Sequence, residues 1–375
     1  MDSMTLANQI TDYLESAGIT INGSHPWDIQ VHREELYGRV MQEGPLGLGE
    51  AYMEKWWDCE RLDQFFYLLL KASLDKKIKT NVPFSFYTRY LLSYIINFQS
   101  KQRAKEVAIK HYNLGNNLFE NMLDPYMIYS CAYFKNTDKL AEAQVAKLEL
   151  ICQKLQLKPG LRVLDIGCGF GGFAKYAALK HGVHVTGITI SEQQYHFAKK
   201  FCEGLPISLF LKDYRDLNEQ FDRVVSIGMF EHVGYKNYET FIETVHRVLS
   251  NDGLFLLHTI GSNETSTVIN EWTLKYIFPN GMLPSIAEIA KHVEKKFIVE
   301  DWQNFGAYYD PTLIAWYDNF KNNWHAIKSQ FDERFYRMWT YYLLSCAGSF
   351  RARMNQVWQI VFSKHGVPGV YMSPR

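Results

Sequence analysis

The N-terminal part of the chain carries apolar residues at the spacing of α-helices. One such run covers residues 6–14, and another extends from Leu62 to Leu74. A loop is predicted between them by a group of helix-breaking residues, Gly44, Pro45, Gly47 and Gly49. We therefore predict a small, mainly helical domain over residues 1–98, followed by a polar and basic linker helix over residues 99–112.

From Thr137 onward, helix-length stretches alternate with short apolar runs that predict strands. A helical stripe over residues 145–155 ends at Lys158-Pro159-Gly160, and further helices are predicted through residues 174–179 and from Ser191, whose hydroxyl suits a helix N-cap. The predicted strands are Arg162–Ile166, Val183–Thr189, Ile207–Leu211, Asp222–Ile227 and Leu254–Thr259, the last beginning after the turn Asn251-Asp252-Gly253. Strands separated by helices form βαβ units, so we predict an α/β fold with a mostly parallel sheet.

The region after the last predicted strand is helical and rich in aromatic residues. Apolar and aromatic side chains recur every three or four residues from Leu313 to Phe331, and a second helix is predicted from about Glu333 to Cys346. An aromatic stripe of this kind needs a core or a ligand pocket to bury it.

The composition of the 375 residues is that of a globular protein, with 47% hydrophobic and 21% charged residues. The 40 basic and 40 acidic residues give zero formal net charge, so the chain lacks a field that would hold a polyanion, and a nucleic-acid partner is not expected. Aromatic residues reach 15%, which indicates either an unusually aromatic core or a surface that meets an apolar partner.

The cysteines and the apolar stretches limit the compartment and the membrane contact. Six cysteines are scattered without a CxxC pair, which argues against a zinc ribbon or a disulfide-stapled domain, so we expect reduced thiols, no metal and a cytoplasmic protein. The N-terminus lacks the features of a signal peptide, and the most apolar stretches, Phe65–Leu70 and Tyr90–Phe98, are too short to span a bilayer. Any membrane contact is therefore expected to be peripheral.

Two aromatic pairs and a short basic run stand out in the N-terminal domain. The pairs are Trp56-Trp57 and Phe65-Phe66, and the basic run contains Lys76, Lys77 and Lys79. One interpretation is an ordinary helical domain with a solvated, charged face. The other is an aromatic and lysine surface at a lipid interface, where both residue types are stable.

A glycine-rich loop follows the first predicted strand, in the run Val163-Leu164-Asp165-Ile166-Gly167-Cys168-Gly169-Phe170-Gly171-Gly172. Glycines here allow positive φ and bring helix amides close to a nucleotide. A dinucleotide site needs an acidic residue at the end of the second strand, whereas residues 186–191 end that strand with hydroxyls. Asp165, just ahead of the glycines, suits the ammonium of S-adenosylmethionine. The loop therefore resembles the first motif of class I methyltransferases.

A wider set of segments carries a closer resemblance. The segments are His111–Asn116, Met127–Phe134, the glycine loop, Thr186–Thr189, Asp213–Leu217, Gly228–Gly234, Leu257–Gly261, Tyr276–Gly281 and Cys346–Arg351. In this order the chain resembles the cyclopropane-fatty-acyl-phospholipid synthases over nearly its full length. Two departures are Asn113, where the family usually has Asp, and Phe170, where Trp is frequent. The resemblance implies a Rossmann-like class I methyltransferase domain over residues 113–375, with an aromatic helical insertion that lines an acyl pocket.

The resemblance also implies a reaction in which S-adenosylmethionine gives a methylene to the cis double bond of a phospholipid acyl chain. An alkene is a weak nucleophile, so the sulfonium methyl must be held in line, and the resulting carbocation needs a dry, π-rich pocket and a base. The family implies that a bound bicarbonate serves as the base, held by residues matching Cys131, Glu231, His258, the Ile260 backbone and Tyr309. Cys346 is a weaker candidate, because this chemistry needs no thiol nucleophile.

The residues themselves support these roles unevenly. Glu231 lies in an apolar stretch just past a strand, where a carboxylate is costly unless it has a function or a partner. His258 in mid-strand is also consistent with a hydrogen-bonded core histidine, and Cys131 and Tyr309 are consistent with simple packing.

Residue-by-residue matching to the family implies the S-adenosylmethionine contacts. They are Tyr129, Ser130, Asp165, Gly167, Cys168, Gly169, Phe170, Gly171, Gly172, Thr189, Ile190, Ser191, Glu192, Gln193, Asp213 and Tyr214. Among them, Gln193 is expected on the ribose and Asp213 on the adenine amine. The resemblance further implies a homodimer in the cytoplasm that visits the inner face of the membrane. A methyltransferase for a small soluble acceptor and a non-catalytic lipid-binding relative remain as alternatives.

Overall fold

A computed structural model describes residues 3–73, 115–265 and 270–375. The predicted linker helix, Lys76, Lys77 and Lys79, the apolar stretch Tyr90–Phe98 and Asn113 lie outside the described residues. Within them the helices are α1 (Ser3–Ser16), α2 (Glu35–Met53), α3 (Leu62–Lys71), α4 (Asn116–Met122), α5 (Leu140–Lys154), α6 (Gly172–His181), α7 (Glu192–Phe201), α8 (Tyr238–Val248), α9 (Glu271–Tyr276), α10 (Ile286–Val293), α11 (Tyr309–Ile327) and α12 (Glu333–Arg351). The strands are β1 (Gln30–Val31), β2 (Trp57–Asp58), β3 (Arg162–Ile166), β4 (His184–Thr189), β5 (Ile207–Leu211), β6 (Phe221–Ile227), β7 (Leu249–Ser262), β8 (Ile298–Asn304) and β9 (Asn355–Ser363).

The chain divides into two compact units that are not continuous in sequence. Among the described residues, a helical unit contains 3–73, 270–279 and 313–355, and an α/β unit contains 115–265, 280–312 and 356–375. From the sequence, all of residues 113–375 were instead predicted to form one domain. The difference arises because α9 and α12 pack against α2 and α3, far from them in sequence.

Close packing in the helical unit is visible where α12 meets α3. A Cβ added at Gly348 would lie 2.6 Å from the backbone oxygen of Asp63, so the helices approach each other at a distance that only glycine permits. The side chain of Asp63 is buried beside Arg351, which donates to it at 2.8 Å. A charged pair thus joins the same two helices.

The predicted loop at Gly44–Gly49 is wrong, because these residues belong to α2. The helix is kinked at Gly44, where φ is +57°, and Pro45 begins the second segment. Proline is tolerated in the first turn of a helix and glycine adopts positive φ without strain, so the helix breakers produce a bend here.

The aromatic pairs of the helical unit are largely core residues. Trp57, Phe65 and Phe66 are buried, and the Trp57 indole N–H donates to the backbone oxygen of Leu48 at 3.0 Å. Trp56 is partly buried beneath the guanidinium of Arg39, which lies 4.8 Å from its ring centroid. The lipid-facing interpretation is therefore wrong for the buried rings, which the unit needs for its own packing.

The α/β unit is built on a seven-stranded sheet of order β5-β4-β3-β6-β7-β9-β8. The neighbours from β5 to β7 pair in parallel, and β8 pairs antiparallel with β9. The predicted α/β class and mostly parallel sheet are confirmed. Successive residues of β9 point into the hydrophobic cores on opposite faces of the sheet. Ile360 and Phe362 belong to one core cluster and Val361 belongs to the other, so helices cover both faces.

Two details of the sheet differ from the prediction. The expected turn at Asn251-Asp252-Gly253 is extended backbone within β7, and the register against β6 shifts there, because Phe221 pairs with Leu249 but Arg223 pairs with Leu254. Strands β8 and β9 were not predicted, since only helices were expected after β7. Among the described residues, none of the helices combines the length and the apolar character needed to cross a bilayer.

Candidate active site

The glycine loop joins β3 to α6 at the carboxyl edge of the sheet. The amides of Gly167 and Cys168 both donate to the backbone oxygen of Ile188, at 2.9 and 3.0 Å, which ties the loop to the end of β4. Gly167, Gly169 and Gly171 all have positive φ, and a Cβ on Gly172 would overlap the backbone oxygen of Tyr126. Here the glycines are required by backbone geometry, and the loop leads into the amino end of α6.

The end of β4 and the start of α7 form a network of hydroxyl and amide groups. Ser191 caps α7 by accepting from the amide of Gln194, as predicted, while the Gln194 side chain accepts from the Thr189 hydroxyl at 3.1 Å. Gln193, expected on the ribose, donates to Asn116 at 2.9 Å. Thr189 to Gln193 thus lie beside the glycine loop, where the nucleoside of a cofactor is expected.

Asp213 and Tyr214 follow β5. The Asp213 carboxylate is buried and accepts two hydrogen bonds from the Arg215 guanidinium, at 2.8 and 2.7 Å. Its predicted role on the adenine amine therefore has to coexist with this ion pair. Tyr214 packs against Phe241, and burial raises the pKa of its phenol to about 12.

Asp165 is a buried acid near the end of β3. Burial raises the pKa of its carboxyl to about 7, and the charge of Lys147 opposes that rise. A carboxylate at this position can be stabilised by an incoming ammonium, which is the role expected from the sequence.

Glu231 lies in a short 3₁₀ turn that follows β6. Its Oε1 accepts from the amide of Ile260 at 2.6 Å, and its buried Oε2 has no hydrogen-bond donor among the residues that the structure describes. Burial raises the pKa of the carboxyl to about 7. The Ile260 amide, expected to hold bicarbonate, is bonded to Glu231 here. The carboxyl therefore has one oxygen bound to a backbone amide and one buried oxygen, and Thr259 also lowers its pKa.

His258 and Cys131 are both buried next to Phe305. The ring of His258 lies 5.9 Å from that of Phe305, and the Cys131 thiol lies 4.0 Å from the Phe305 backbone oxygen. Gln359 of β9 places its side-chain nitrogen 3.3 Å from His258 Nδ1. Burial lowers the pKa of His258 well below its ordinary value and raises that of Cys131 to about 12, so both groups are neutral. His258 can donate to an anion from its second ring nitrogen, whereas the Cys131 thiol donates to the Ala132 backbone oxygen at 3.4 Å here and has to turn to serve the bicarbonate prediction.

The remaining predicted residues lie in different places. Tyr129 packs against Phe119, and Tyr309 is buried at the start of α11. Phe170 is buried against Phe119, so this departure from the family keeps an aromatic ring in the core. Cys346 lies on α12 of the helical unit, and burial raises the pKa of its thiol to about 12, which does not suit a nucleophile.

Three polar residues of this site were not predicted from the sequence. Lys147 and Gln144 of α5 are fully buried and donate to Ser130, and Gln359 is fully buried beside His258. A polar residue within the apolar run Val357–Phe362 was a usable signal for Gln359. Lys147 gave no such signal, because lysines are ordinary on helices.

The strand order, the glycine loop after β3 and the polar groups at the carboxyl ends of the strands define a class I methyltransferase fold. A family model described as mycolic acid cyclopropane synthetase matches residues 99–360. The chain belongs to this family and is an enzyme.

Individual relatives agree with this assignment. The chain is 55% identical over 359 residues to the cyclopropane-fatty-acyl-phospholipid synthase of Escherichia coli K12, covering 96% of this chain and 93% of the relative. A solved cyclopropane synthase from Mycobacterium tuberculosis is 34% identical, with a TM-score of 0.65 over 69% of this chain and 98% of that one. A mycolic acid cyclopropane synthase solved with SAH and CTAB gives the same identity, coverage and TM-score.

Proposed function

We propose that the chain uses S-adenosylmethionine to convert the cis double bond of an unsaturated phospholipid acyl chain into a cyclopropane. The observation that carries this proposal is Glu231, a buried carboxyl at the sheet edge with one oxygen bound to an amide and the other buried without a hydrogen-bond donor among the described residues. A soluble acceptor would bring water into such a site, whereas a carbocation has to be kept away from it. The name and the 55% identity of the Escherichia coli relative support the same substrate class.

The residues of the α/β unit divide the work of this reaction. The glycine loop and Asp165 are suited to hold the amino-acid part of S-adenosylmethionine, which supplies the methyl group from its sulfonium. Thr189 to Gln193 are suited to the ribose, and Asp213 and Tyr214 to the base. Holding both reactants in line is the main contribution these contacts make, because the alkene is a poor nucleophile.

The proton that leaves on ring closure needs an acceptor. The residues fit a bound bicarbonate, since Cys131 and His258 are neutral donors and the free Glu231 oxygen can receive a proton from the bound ion. Bicarbonate would supply the proximal base. Tyr309 is proposed as a further phenolic donor. Because Glu231 has a pKa near 7, it accepts a proton readily close to neutral pH.

The test is to incubate the protein with S-adenosylmethionine and vesicles of cis-unsaturated phospholipid, then to analyse the fatty acids by mass spectrometry. A gain of one CH₂ with loss of olefinic protons in the NMR spectrum supports the proposal. Methylation of soluble amines or phenols without this product would favour a small-molecule methyltransferase. Binding to vesicles without turnover would favour a lipid-binding role.

Glu231→Gln tests the role of Glu231 in accepting the proton, because it removes the carboxylate and keeps the size of the side chain. We expect S-adenosylmethionine binding within about twofold of the parent and turnover reduced at least a hundredfold, the scale of a lost general base. Full turnover in this variant would place the proton acceptor elsewhere. Vesicle sedimentation and light scattering of the whole chain test the proposed peripheral membrane contact and homodimer.

A further inference from the structure

Lys147 is a lysine of α5 that has no exposed surface. Its Nζ donates to the Ser130 hydroxyl at 2.8 Å. One turn earlier on the same helix face, Gln144 donates to the backbone oxygen of Ser130 at 2.9 Å. Two buried side chains of α5 therefore hold both acceptors of the residue that separates Tyr129 from Cys131.

Ser130 lies within the predicted active site. A Cβ added to Gly228, the residue that follows β6, would lie 3.7 Å from the Cβ of Ser130. The neighbours of Ser130 in sequence are a predicted cofactor contact, Tyr129, and a predicted bicarbonate contact, Cys131. The hydrogen bonds that hold Ser130 therefore also position the predicted cofactor contact, Tyr129, and the predicted bicarbonate contact, Cys131.

The Lys147 ammonium is surrounded by groups whose charge it affects. The carboxylates of Asp124 and Asp165 stabilise it, and its charge lowers the pKa values of Cys131 and His258. Burial is the larger effect and lowers the pKa of Lys147 to about 8, so the amine is mostly protonated at neutral pH. Asp124 is itself bound to the amides of Tyr126 and Ile128.

A neutral donor would satisfy the Ser130 hydroxyl at lower cost, because burying an ammonium is expensive. The charge therefore needs a second explanation. Asp124 and Asp165 already place negative charge around this pocket, and an added oxyanion would be repelled without a compensating cation. An ammonium that acts on both Cys131 and His258 supplies that compensation where the anion is expected.

We propose that Lys147 is a positioning residue that orders the Tyr129–Cys131 segment through Ser130 and stabilises the bound oxyanion through its charge. This inference rests on the proposed function, because it assigns a residue to the bicarbonate site of that reaction. Lys147 touches no reacting atom in this assignment and acts through Ser130 and through its electrostatic field.

Two substitutions separate the hydrogen bond from the charge. Lys147→Gln keeps a donor for Ser130 and removes the charge, and Lys147→Met removes both. We expect Lys147→Gln to raise the half-saturating bicarbonate concentration about tenfold or more, the scale of a lost charge-assisted interaction, with S-adenosylmethionine affinity within about twofold. Lys147→Met should weaken both ligands. Lys139→Gln, an exposed lysine just before α5, is the matched control and should change neither.

The pH dependence provides a readout that a purely structural role would not change. In the parent, bicarbonate affinity should fall as the pH rises through about 8, because Lys147 loses its proton. Around Lys147, Cys131 and His258 do not titrate between about pH 7.5 and 9, whereas Asp165 and Glu231, with pKa values of about 7, are mostly ionised there, and burial also raises the pKa of Asp124. Removing the Lys147 charge raises the pKa of Asp165 further. The Lys147→Gln variant should therefore lose the fall centred at about pH 8 and keep only the smaller part that the carboxyls cause.

Unchanged bicarbonate half-saturation in Lys147→Gln, or the same pH dependence in the variant and the parent, would overturn the charge assignment. If the parent itself shows no response to bicarbonate, the proposed reaction fails in that step. The positioning role is then decided by calorimetric binding of S-adenosylmethionine, which Lys147→Met must weaken and Lys147→Gln must preserve. If Lys147→Met does not fold, the Lys147→Gln measurements decide the inference.

Discussion

As the pH rises, the Glu231→Gln variant should become more stable relative to the parent, because the parent loses stability, and its turnover should be at least a hundredfold lower. The carboxyl is buried with one oxygen on the Ile260 amide, and the other has no donor among the described residues. Ionising such a group is unfavourable in the folded chain and free of this cost in the unfolded chain. Gln keeps a carbonyl for the Ile260 amide and cannot ionise.

The sign and size of the effect follow from the pKa. Its value rises from 4.5 to about 7 on folding, so the folded chain binds more protons between these values and the parent loses stability as the pH increases. The full loss is about 3 kcal/mol, at about 1.4 kcal/mol for each pKa unit. Integrated between about pH 5.5 and about pH 8, the parent should lose about 2 kcal/mol relative to Glu231→Gln. The unmatched amide protons of Gln cancel in this difference.

Hydrogen exchange of peptides from β6 and β7 measures this quantity in the sheet that carries Glu231. The ratio of protection between the variant and the parent should rise about 30-fold from the lower to the higher pH. Glu294→Gln, at an exposed site in the same unit, should show a constant ratio. A ratio for Glu231→Gln that does not change with pH would show that the carboxyl ionises without a burial cost.

Three further predictions test other parts of the structure. Gln359→Leu should leave His258 without its donor at Nδ1, so ¹⁵N spectra of His258 should lose the single Nε2-protonated form. Turnover should fall about ten- to a hundredfold, as for other histidines that lose an orienting partner. An unchanged spectrum would refute this role. Gly172→Ala should lower the free energy of unfolding by about 1–3 kcal/mol and weaken S-adenosylmethionine binding, because the new methyl overlaps the Tyr126 oxygen. Gly38→Ala, where the site is open, is the control, and equal stability of the two variants would contradict the expectation. Trp57→Ala should cost about 3–5 kcal/mol in chemical denaturation, since its indole is fully buried; weaker vesicle binding at unchanged stability would instead restore the lipid-facing interpretation.

The sheet from β3 to β7 could be predicted because each strand is a short apolar run between helical segments, and β3 and β5 have the bounds that the sequence indicates. The division into units could not be predicted. Periodicity reports which face of α12 is buried, but it does not identify α2 and α3 as the partners that bury it. The kink of α2 could not be predicted either, because glycine followed by proline is typical both of a loop and of a bend within a helix.

The active site was predictable where a residue is unfavourable in its local sequence. Glu231 stands in an apolar stretch, and Asp165 immediately precedes a glycine loop, so each needs a function or a partner. Lys147 carries no such signal. The apolar stripe of Val145, Leu148, Cys152 and Leu155 predicts a covered face for α5, yet the helix also buries three polar residues that are not part of this stripe, Gln144, Lys147 and Lys154. Only the folded chain reveals that a buried ammonium donates to Ser130.

Burial sets the protonation of the site. It raises the pKa of Glu231 and Asp165, keeps His258 neutral and keeps Cys131 a thiol. In each of these groups burial is the largest cause of the shift, so a change that admits water should move all four pKa values toward their ordinary values together. A site dry enough to protect a carbocation is therefore also one in which Glu231 can take up a proton near pH 7. Under the proposed reaction, water exclusion and the base are one property of the fold, and a cavity beside Phe305 should impair both.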